Sequence, residues 1–178
     1  MRLLTVGHGT ASLEEFAELL GQAGVALVVD VRSAPGSRRN PQFARSELER
    51  SLPARGIEYR WDKRLGGFRK LAEDSPDRVW RHRAFRAYAG HMRTAEFRAG
   101  IEDLLAGTGE GHPGAVMCSE SVWWRCHRRM IADYARLVHG ITVEHLMHDG
   151  RLTEHPPLEG ARLREDGLLV YDAGQQLE

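Results

Sequence analysis

The sequence predicts an α/β protein with three layers, in which a mainly parallel sheet of about five strands lies between helices. Short apolar runs that are typical of buried strands alternate with stretches whose apolar residues recur at helical spacing. Gly24 and Gly140 stand where this alternation requires two helices to end. Such an alternation favours a parallel sheet with helices on both faces.

The first elements are a strand, a helix and a second strand. Residues 3–6 form the first apolar run, and Ser12 with Glu15 makes a capping box that begins a helix through about residue 23. Residues 25–31 are nearly all apolar, as expected for a strand buried on both faces. The two prolines and the glycine within residues 33–43 then predict a loop.

A second capping box, Ser46 and Glu49, predicts a helix that ends near residue 55. Residues 57–61 form the third predicted strand. An irregular stretch follows, and helical periodicity resumes over about 84–92 and again over about 94–106.

The last predicted elements complete the sheet. Strands are expected at 115–118 and 141–146, with a loop at 119–124 and a helix at 126–139 between them. Asp166-Gly167 then indicates a small hairpin that joins residues 161–165 to 168–172. We therefore predict one α/β domain over residues 1–150 and a C-terminal extension over residues 151–178.

Composition excludes several classes of protein. The chain has 178 residues, of which 42% are hydrophobic and 28% charged, so it is neither collagen-like nor disordered throughout. No apolar run approaches the ~20 residues of a membrane span, so no membrane partner is expected. Two cysteines cannot form a disulfide framework, which favours a cytoplasmic location.

Polar and unusual residues collect where the predicted strands end. Ligands of parallel sheets bind beyond these carboxyl ends. The sequence therefore predicts one polar cleft at this edge, lined by His8, Asp30, Arg32, Gly66, Cys118 and Glu120.

Several motifs along residues 3–150 share their order with a known family. They are Thr5-Val6-Gly7-His8, Val29-Asp30-Val31-Arg32, Gly56-Ile57-Glu58-Tyr59, Leu65-Gly66-Gly67, Met117-Cys118-Ser119-Glu120 and Cys126-His127-Arg128. In this order they resemble the bacterial family called domain of unknown function 488. The resemblance implies no particular activity, and Gly9 stands where that family usually has a serine. The run from Val28 to Arg32, with Cys118 at a later strand end, is also similar to the rhodanese sulfurtransferases.

Cys118 is the candidate nucleophile, because it lies where a strand passes into a loop that leads to a helix N-terminus. Backbone N–H groups and the helix dipole stabilise a thiolate at such a place. Arg125, His127 and Arg128 would add positive charge, whereas the carboxylate of Glu120 would raise the thiol pKa. The alternative is that Cys118 is a small buried hydrophobic residue.

Cys126 lies eight positions further along the chain. It is either a resolving thiol for a sulfenate or persulfide on Cys118, or a structural residue at the start of the helix. A zinc site is a further alternative, although the spacing matches no common zinc module; its ligands would be Cys118, Cys126, His127 and His8. We predict no metal and no cofactor.

Asp30 and Arg32 project to the same side of a strand end because they are two residues apart. In one interpretation Asp30 orients His8 and Arg32 binds an anionic group. In the other, the two form a buried ion pair that joins the loops. Glu120 and His8 are the candidate proton-transfer groups. The catalytic candidates are therefore Cys118, Glu120, His8 and Asp30.

A second class of function, a nucleotide- or nucleic-acid-binding module, stays open beside the enzyme. Residues 30–98 hold an excess of lysine and arginine over aspartate and glutamate. The paired loop tryptophans suit stacking on a base, or they form a lid packed on the domain. The ligand-binding candidates are Arg32, Gly66, Gly67, Trp123, Trp124, Arg125, His127 and Arg128, and the nucleic-acid alternative adds Arg38, Arg39, Arg64 and Arg69. The partner would be a small molecule, a nucleotide or nucleic acid.

Overall fold

A computed structural model, which describes residues 1–36 and 38–174, contains a six-stranded sheet with the order β3-β2-β4-β1-β5-β6. The strands are β1 (Arg2–Gly7), β2 (Leu27–Asp30), β3 (Glu58–Trp61), β4 (Gly114–Cys118), β5 (Thr142–Leu146) and β6 (Leu152–Glu154). The first five are parallel to their neighbours, and β6 is antiparallel to β5. The predicted α/β fold with a mainly parallel sheet is therefore confirmed.

Five helices cover the sheet, with two on one face and three on the other. They are α1 (Leu13–Gln22), α2 (Arg45–Ser51), α3 (Arg83–His91), α4 (Ala95–Ala106) and α5 (Arg128–His139). Helices α1 and α2 pack on the face that presents Leu4 and Val28, and the other three pack on the face that presents Leu3 and Val29. Within the described ranges, no helix is long and apolar enough to cross a membrane.

The two predicted capping boxes have different outcomes. Ser12 accepts a hydrogen bond from the backbone N–H of Glu15 and caps α1, as expected. The second box is wrong, because α2 begins at Arg45, with Ala44 as its N-cap. Ala44 is extended and the helix follows it directly, so the residue predicted as the cap lies inside the helix. Glu49 instead forms an ion pair with Arg45 at 2.6 Å.

The C-terminal residues form the predicted hairpin and add an edge strand to the sheet. Strands β7 (Ala161–Leu163) and β8 (Leu169–Tyr171) are antiparallel, and Gly167 has a positive φ of 79° in the turn between them. The prediction of the hairpin is thus confirmed. Strand β6 was not predicted, because its three residues are exposed and carry no apolar pattern. The domain boundary at residue 150 stays a prediction.

Candidate functional site

One large cavity lies at the carboxyl edge of the parallel strands, as the topology requires. Its volume is about 960 Å³, and both cysteines of the chain line it. Most of the predicted site residues also line this cavity: His8, Arg32, Gly67, Glu120, Trp124, Arg125 and His127. Arg38 and Arg39 of the nucleic-acid alternative line it as well.

The other candidates lie behind the cavity wall or turn away from it. Asp30 and Arg128 are fully buried, and Gly66 packs against Ser33. Trp123 stacks face to face on His145, with ring centroids 4.2 Å apart, which agrees with the packed alternative for this tryptophan. Two basic residues of the nucleic-acid alternative, Arg64 and Arg69, are half-buried and are held by carboxylates and backbone carbonyls outside the cavity.

Asp30 and Arg32 form a buried ion pair, which is the second of the two interpretations of these residues. The Arg32 guanidinium donates to both carboxylate oxygens of Asp30, at 2.7 and 2.9 Å. The hydroxyl of Tyr59 donates to the same carboxylate at 2.5 Å. Burial, and then the charge of Asp30, raise the pKa of Tyr59 above its ordinary value, so this hydroxyl stays a donor. Tyr59 is not among the site residues predicted from the sequence.

His8 is a neutral imidazole with both ring nitrogens engaged. Its Nδ1 lies 2.8 Å from the carbonyl of Gly9 and donates to it, so Nε2 accepts from Arg32 at 3.4 Å. Burial lowers the pKa of His8 to about 4, and the Arg32 charge acts in the same direction. Phe43 stacks on the ring at 4.3 Å. Asp30 therefore positions His8 through Arg32 rather than by direct contact.

Two sulfur atoms and one ring nitrogen converge at the floor of the cavity. The Sγ atoms of Cys118 and Cys126 and a ring nitrogen of His127 all lie within 4.8 Å of one another. Cys118 ends β4, whereas Cys126 follows the 3-10 turn Trp123–Arg125, and its extended backbone returns the chain to the strand end. This turn also delays α5, which begins at Arg128 rather than at the predicted residue 126.

The surroundings of the two thiols shift their pKa values in opposite directions. Donation of its S–H to Cys126, followed by burial, raises the pKa of Cys118 above its ordinary value. Burial would also raise the pKa of Cys126. The Cys118 S–H and the adjacent charge and N–H groups of Arg128 outweigh it and lower that pKa to about 6. These surroundings favour a thiolate on Cys126 over one on Cys118, and the reactive Cys118 expected from the sequence stays a prediction.

Arg128 fixes the loop between the two cysteines. Its guanidinium is 1% exposed and donates to the backbone carbonyls of Glu120 and Ser121 and to the hydroxyl of Thr5. The Glu120 side chain is exposed at the cavity wall, so the loop presents the carboxylate while its backbone is held from below. Gly7 makes this arrangement feasible, because a Cβ there would lie 1.8 Å from the Glu120 carbonyl oxygen.

A buried polar chain behind the site involves residues that the sequence did not single out. His145 bonds to Thr5 at 2.6 Å and to His155 at 2.9 Å, and His155 bonds to Asp133 at 2.7 Å. The hydroxyl of Tyr171 completes the chain by donating to Asp133 at 2.8 Å. The available signal was Asp133, a carboxylate on the apolar side of a helix, which needs buried partners.

Residues 12–135, more than two thirds of the chain, match the protein family described as Domain of unknown function DUF488. No curated protein and no solved structure matches the chain. The similarity to rhodanese sulfurtransferases thus receives no support from these comparisons. The motifs quoted from residues 3–150 overlap the matched range, and the chain belongs to the DUF488 family.

Proposed function

We propose that this protein is an enzyme that performs thiol–disulfide chemistry on a small anionic substrate, with Cys126 as the nucleophile and Cys118 as the resolving thiol. One observation carries the proposal: both sulfurs lie within 4.8 Å of each other at the floor of a single large cavity. Two thiols this close can attack in turn, because the second need move only slightly to reach the first.

The reaction transfers two electrons from the cysteine pair to a substrate disulfide. The Cys126 thiolate attacks one substrate sulfur, the substrate S–S bond breaks, and the first thiolate product leaves. Cys118 then attacks the Cys126 sulfur of the mixed disulfide, and its proton goes to the second thiol product. The protein ends with a Cys118–Cys126 disulfide, and a dithiol reductant must restore both thiols.

The cavity wall supports an anionic substrate. Arg38, Arg39 and Arg125 line it, and Glu120 is the one acidic residue among the described lining residues. The donors of Arg32, which also lines the cavity, are engaged by Asp30 and His8. Arginine side chains bind carboxylate and phosphate groups through paired N–H donors. Glu120 also offers a carboxylate at the cavity wall for proton transfer, while neutral His8 has no free nitrogen for that task.

The test uses the anionic aromatic disulfide 5,5′-dithiobis(2-nitrobenzoate) on native, reduced, metal-free protein. We expect the wild type to release two equivalents of thionitrobenzoate and to retain no label, since both cysteines are consumed in one internal disulfide. Cys118→Ser should release one equivalent and keep the other as a mixed disulfide on Cys126. Cys126→Ser should react far more slowly, because Cys118 lacks the Arg128 donors.

Mass spectrometry identifies the labelled sulfur, and urea unfolding confirms that each variant is folded. Equal rates for Cys126→Ser and the wild type would contradict the assignment of the nucleophile. A folded wild type that does not react, or that takes two labels without an internal disulfide, would contradict the proposal as a whole.

A second candidate is the nucleotide-binding module, which the cavity mouth favours. Trp124 is 45% and Phe68 is 84% exposed, and both line the cavity beside Arg38 and Arg125. Exposed aromatic rings next to arginines suit a planar anionic ligand. Binding of a nucleoside triphosphate that quenches tryptophan fluorescence, and that weakens in Trp124→Ala but not in Cys118→Ser, would support this module over the enzyme.

A further inference from the structure

Two sulfurs and an imidazole nitrogen at the cavity floor have the composition of a zinc-type ligand set. Nδ1 of His127 lies 3.8 Å from the sulfur of Cys126, and the sulfur of Cys118 is within 4.8 Å of both. A tetrahedral zinc ion binds sulfur at about 2.3 Å and nitrogen at about 2.0 Å, which separates neighbouring ligand atoms by roughly 3.5–3.8 Å. The cluster therefore needs to contract by about 1.3 Å at most to reach this geometry.

The ring of His127 is held with its lone pair toward the sulfurs. Its Nε2 lies 3.0 Å from the carbonyl oxygen of Val31 and 3.1 Å from that of Leu65. Only a protonated Nε2 can donate to these carbonyls, so neutral His127 carries its lone pair on Nδ1. Tyr88 packs edge-on against the ring, with centroids 5.0 Å apart. Metal-binding histidines almost always have this arrangement, in which the other nitrogen donates to a backbone carbonyl or carboxylate.

Gly67 keeps the space beside this lone pair open. A Cβ at position 67 would lie 2.9 Å from Nδ1 of His127, closer than real Cβ atoms come to other groups. Any side chain there would press on the nitrogen that faces the sulfurs. The glycine that the sequence analysis included among the ligand-binding residues thus has a steric reason to be there.

The fourth coordination position would open into the cavity. His8, the fourth ligand considered from the sequence, has both ring nitrogens engaged by Gly9 and Arg32. Over residues 1–36 and 38–174, the group of convergent ligand atoms contains three residues and no fourth. Three protein ligands and one open position are typical of catalytic zinc sites, whereas structural sites are closed by four.

We propose that Cys118, Cys126 and His127 bind a divalent transition metal of the zinc class, with one coordination position open to the cavity. Binding forms two metal–sulfur bonds and one metal–nitrogen bond, and the thiol protons pass to solvent. The proposal does not rest on disulfide exchange. Because a bound metal holds both sulfurs as ligands, the metal-loaded cluster and the exchanging dithiol are alternative states of the same residues.

The probe is Co²⁺, added to reduced, metal-free, full-length protein. We expect one equivalent to bind, with the intense visible bands of tetrahedral cobalt and a sulfur-to-cobalt charge-transfer band in the near ultraviolet. Zn²⁺ should displace it. His127→Gln should weaken binding by more than tenfold, since loss of even an outer partner of a ligand costs about 10–100-fold. Gly67→Ala should weaken it through crowding of Nδ1.

The matched control is His112→Gln, the same exchange at an exposed loop histidine, which should bind cobalt like the wild type. Cys118→Ser should remove about half of the charge-transfer band, because one of the two sulfur ligands remains. Weak octahedral-type spectra, or binding that neither His127→Gln nor Cys118→Ser changes, would overturn the site. A protein that exchanges disulfides but does not bind cobalt refutes the metal site alone, and one that binds cobalt but fails to exchange refutes only the proposed function.

Discussion

Replacing Gly7 by alanine tests whether the close approach of β1 to the loop after β4 holds the candidate site together. Gly7 ends β1 beside Cys118, and a Cβ there would lie 1.8 Å from the carbonyl oxygen of Glu120 and 2.7 Å from the Cα of Ser121. Both neighbours are backbone atoms, which cannot swing aside as a flexible side chain does. The alanine methyl must therefore displace the loop or the strand.

The expected loss of stability follows from the hydrogen bonds that the loop would lose. Ordinary contact begins near 3.4 Å, so the Glu120 carbonyl must retreat by about 1.6 Å. That carbonyl and the one of Ser121 accept from the buried guanidinium of Arg128. A hydrogen bond to a charged group contributes about 1.5–3 kcal/mol, and a charged donor left unpaired costs at least as much. We expect Gly7→Ala to lower the free energy of unfolding by about 3 kcal/mol or more.

The assay is urea unfolding of reduced protein, followed by circular dichroism and analysed by linear extrapolation. The matched control is Gly21→Ala, the same substitution within α1, where a Cβ would meet nothing within 4 Å. Alanine has a higher helix propensity than glycine, so the free energy of unfolding of this variant should rise by about 0.5–1 kcal/mol. The nitrobenzoate reaction should also slow in Gly7→Ala, since the loop that separates the two cysteines has moved.

If the free energy of unfolding of Gly7→Ala falls by less than about 1 kcal/mol, the range of an ordinary substitution, the expectation is refuted. Such a result would mean that the loop adjusts without breaking the Arg128 contacts. A loss of stability equal to that expected, but with an unchanged thiol reaction rate, would show that the strand moved instead and that the loop kept its position.

Two further predictions concern groups buried in and behind the cavity. Burial, followed by the neighbouring His155 charge, lowers the pKa of His145 to about 3 in the folded state, so between pH 6.5 and 3 the unfolded state binds the extra proton. Stability should therefore fall as pH decreases below about 6.5, by about 1.4 kcal/mol per pH unit for this histidine. Urea titrations at several pH values should show that the free energy of unfolding of His145→Gln falls less steeply with decreasing pH than that of the wild type. An unchanged dependence on pH would contradict this prediction. Asp30→Asn leaves the buried Arg32 guanidinium without its charge partner and should cost about 3–5 kcal/mol. The control Glu47→Gln, which breaks an exposed pair, should change stability by less than about 1 kcal/mol, and equal losses for both would show that the Asp30 pair is not desolvated.

Local patterns in the sequence determined the elements of this fold. Apolar runs such as residues 25–31 mark strands, because a strand covered on both faces must be apolar on both. Helical spacing and the Ser12 capping box located α1, since a cap satisfies donors within one turn of the chain. The order of these elements then fixed the edge of the sheet where the cavity lies, and with it the grouping of His8, Arg32 and Cys118.

Tertiary structure alone decided which partner each of these groups meets. The sequence could not tell whether Arg32 faces a ligand or Asp30, because both arrangements follow from the same strand end. It also left open whether Cys118 is a reactive thiol or a small buried residue, and only the fold brings Cys126 and His127 beside it. Contacts between residues 5, 133, 145, 155 and 171 join residues that lie up to 140 positions apart along the chain. Proton positions and ligand geometry depend on such long-range contacts, which no local pattern of residues records.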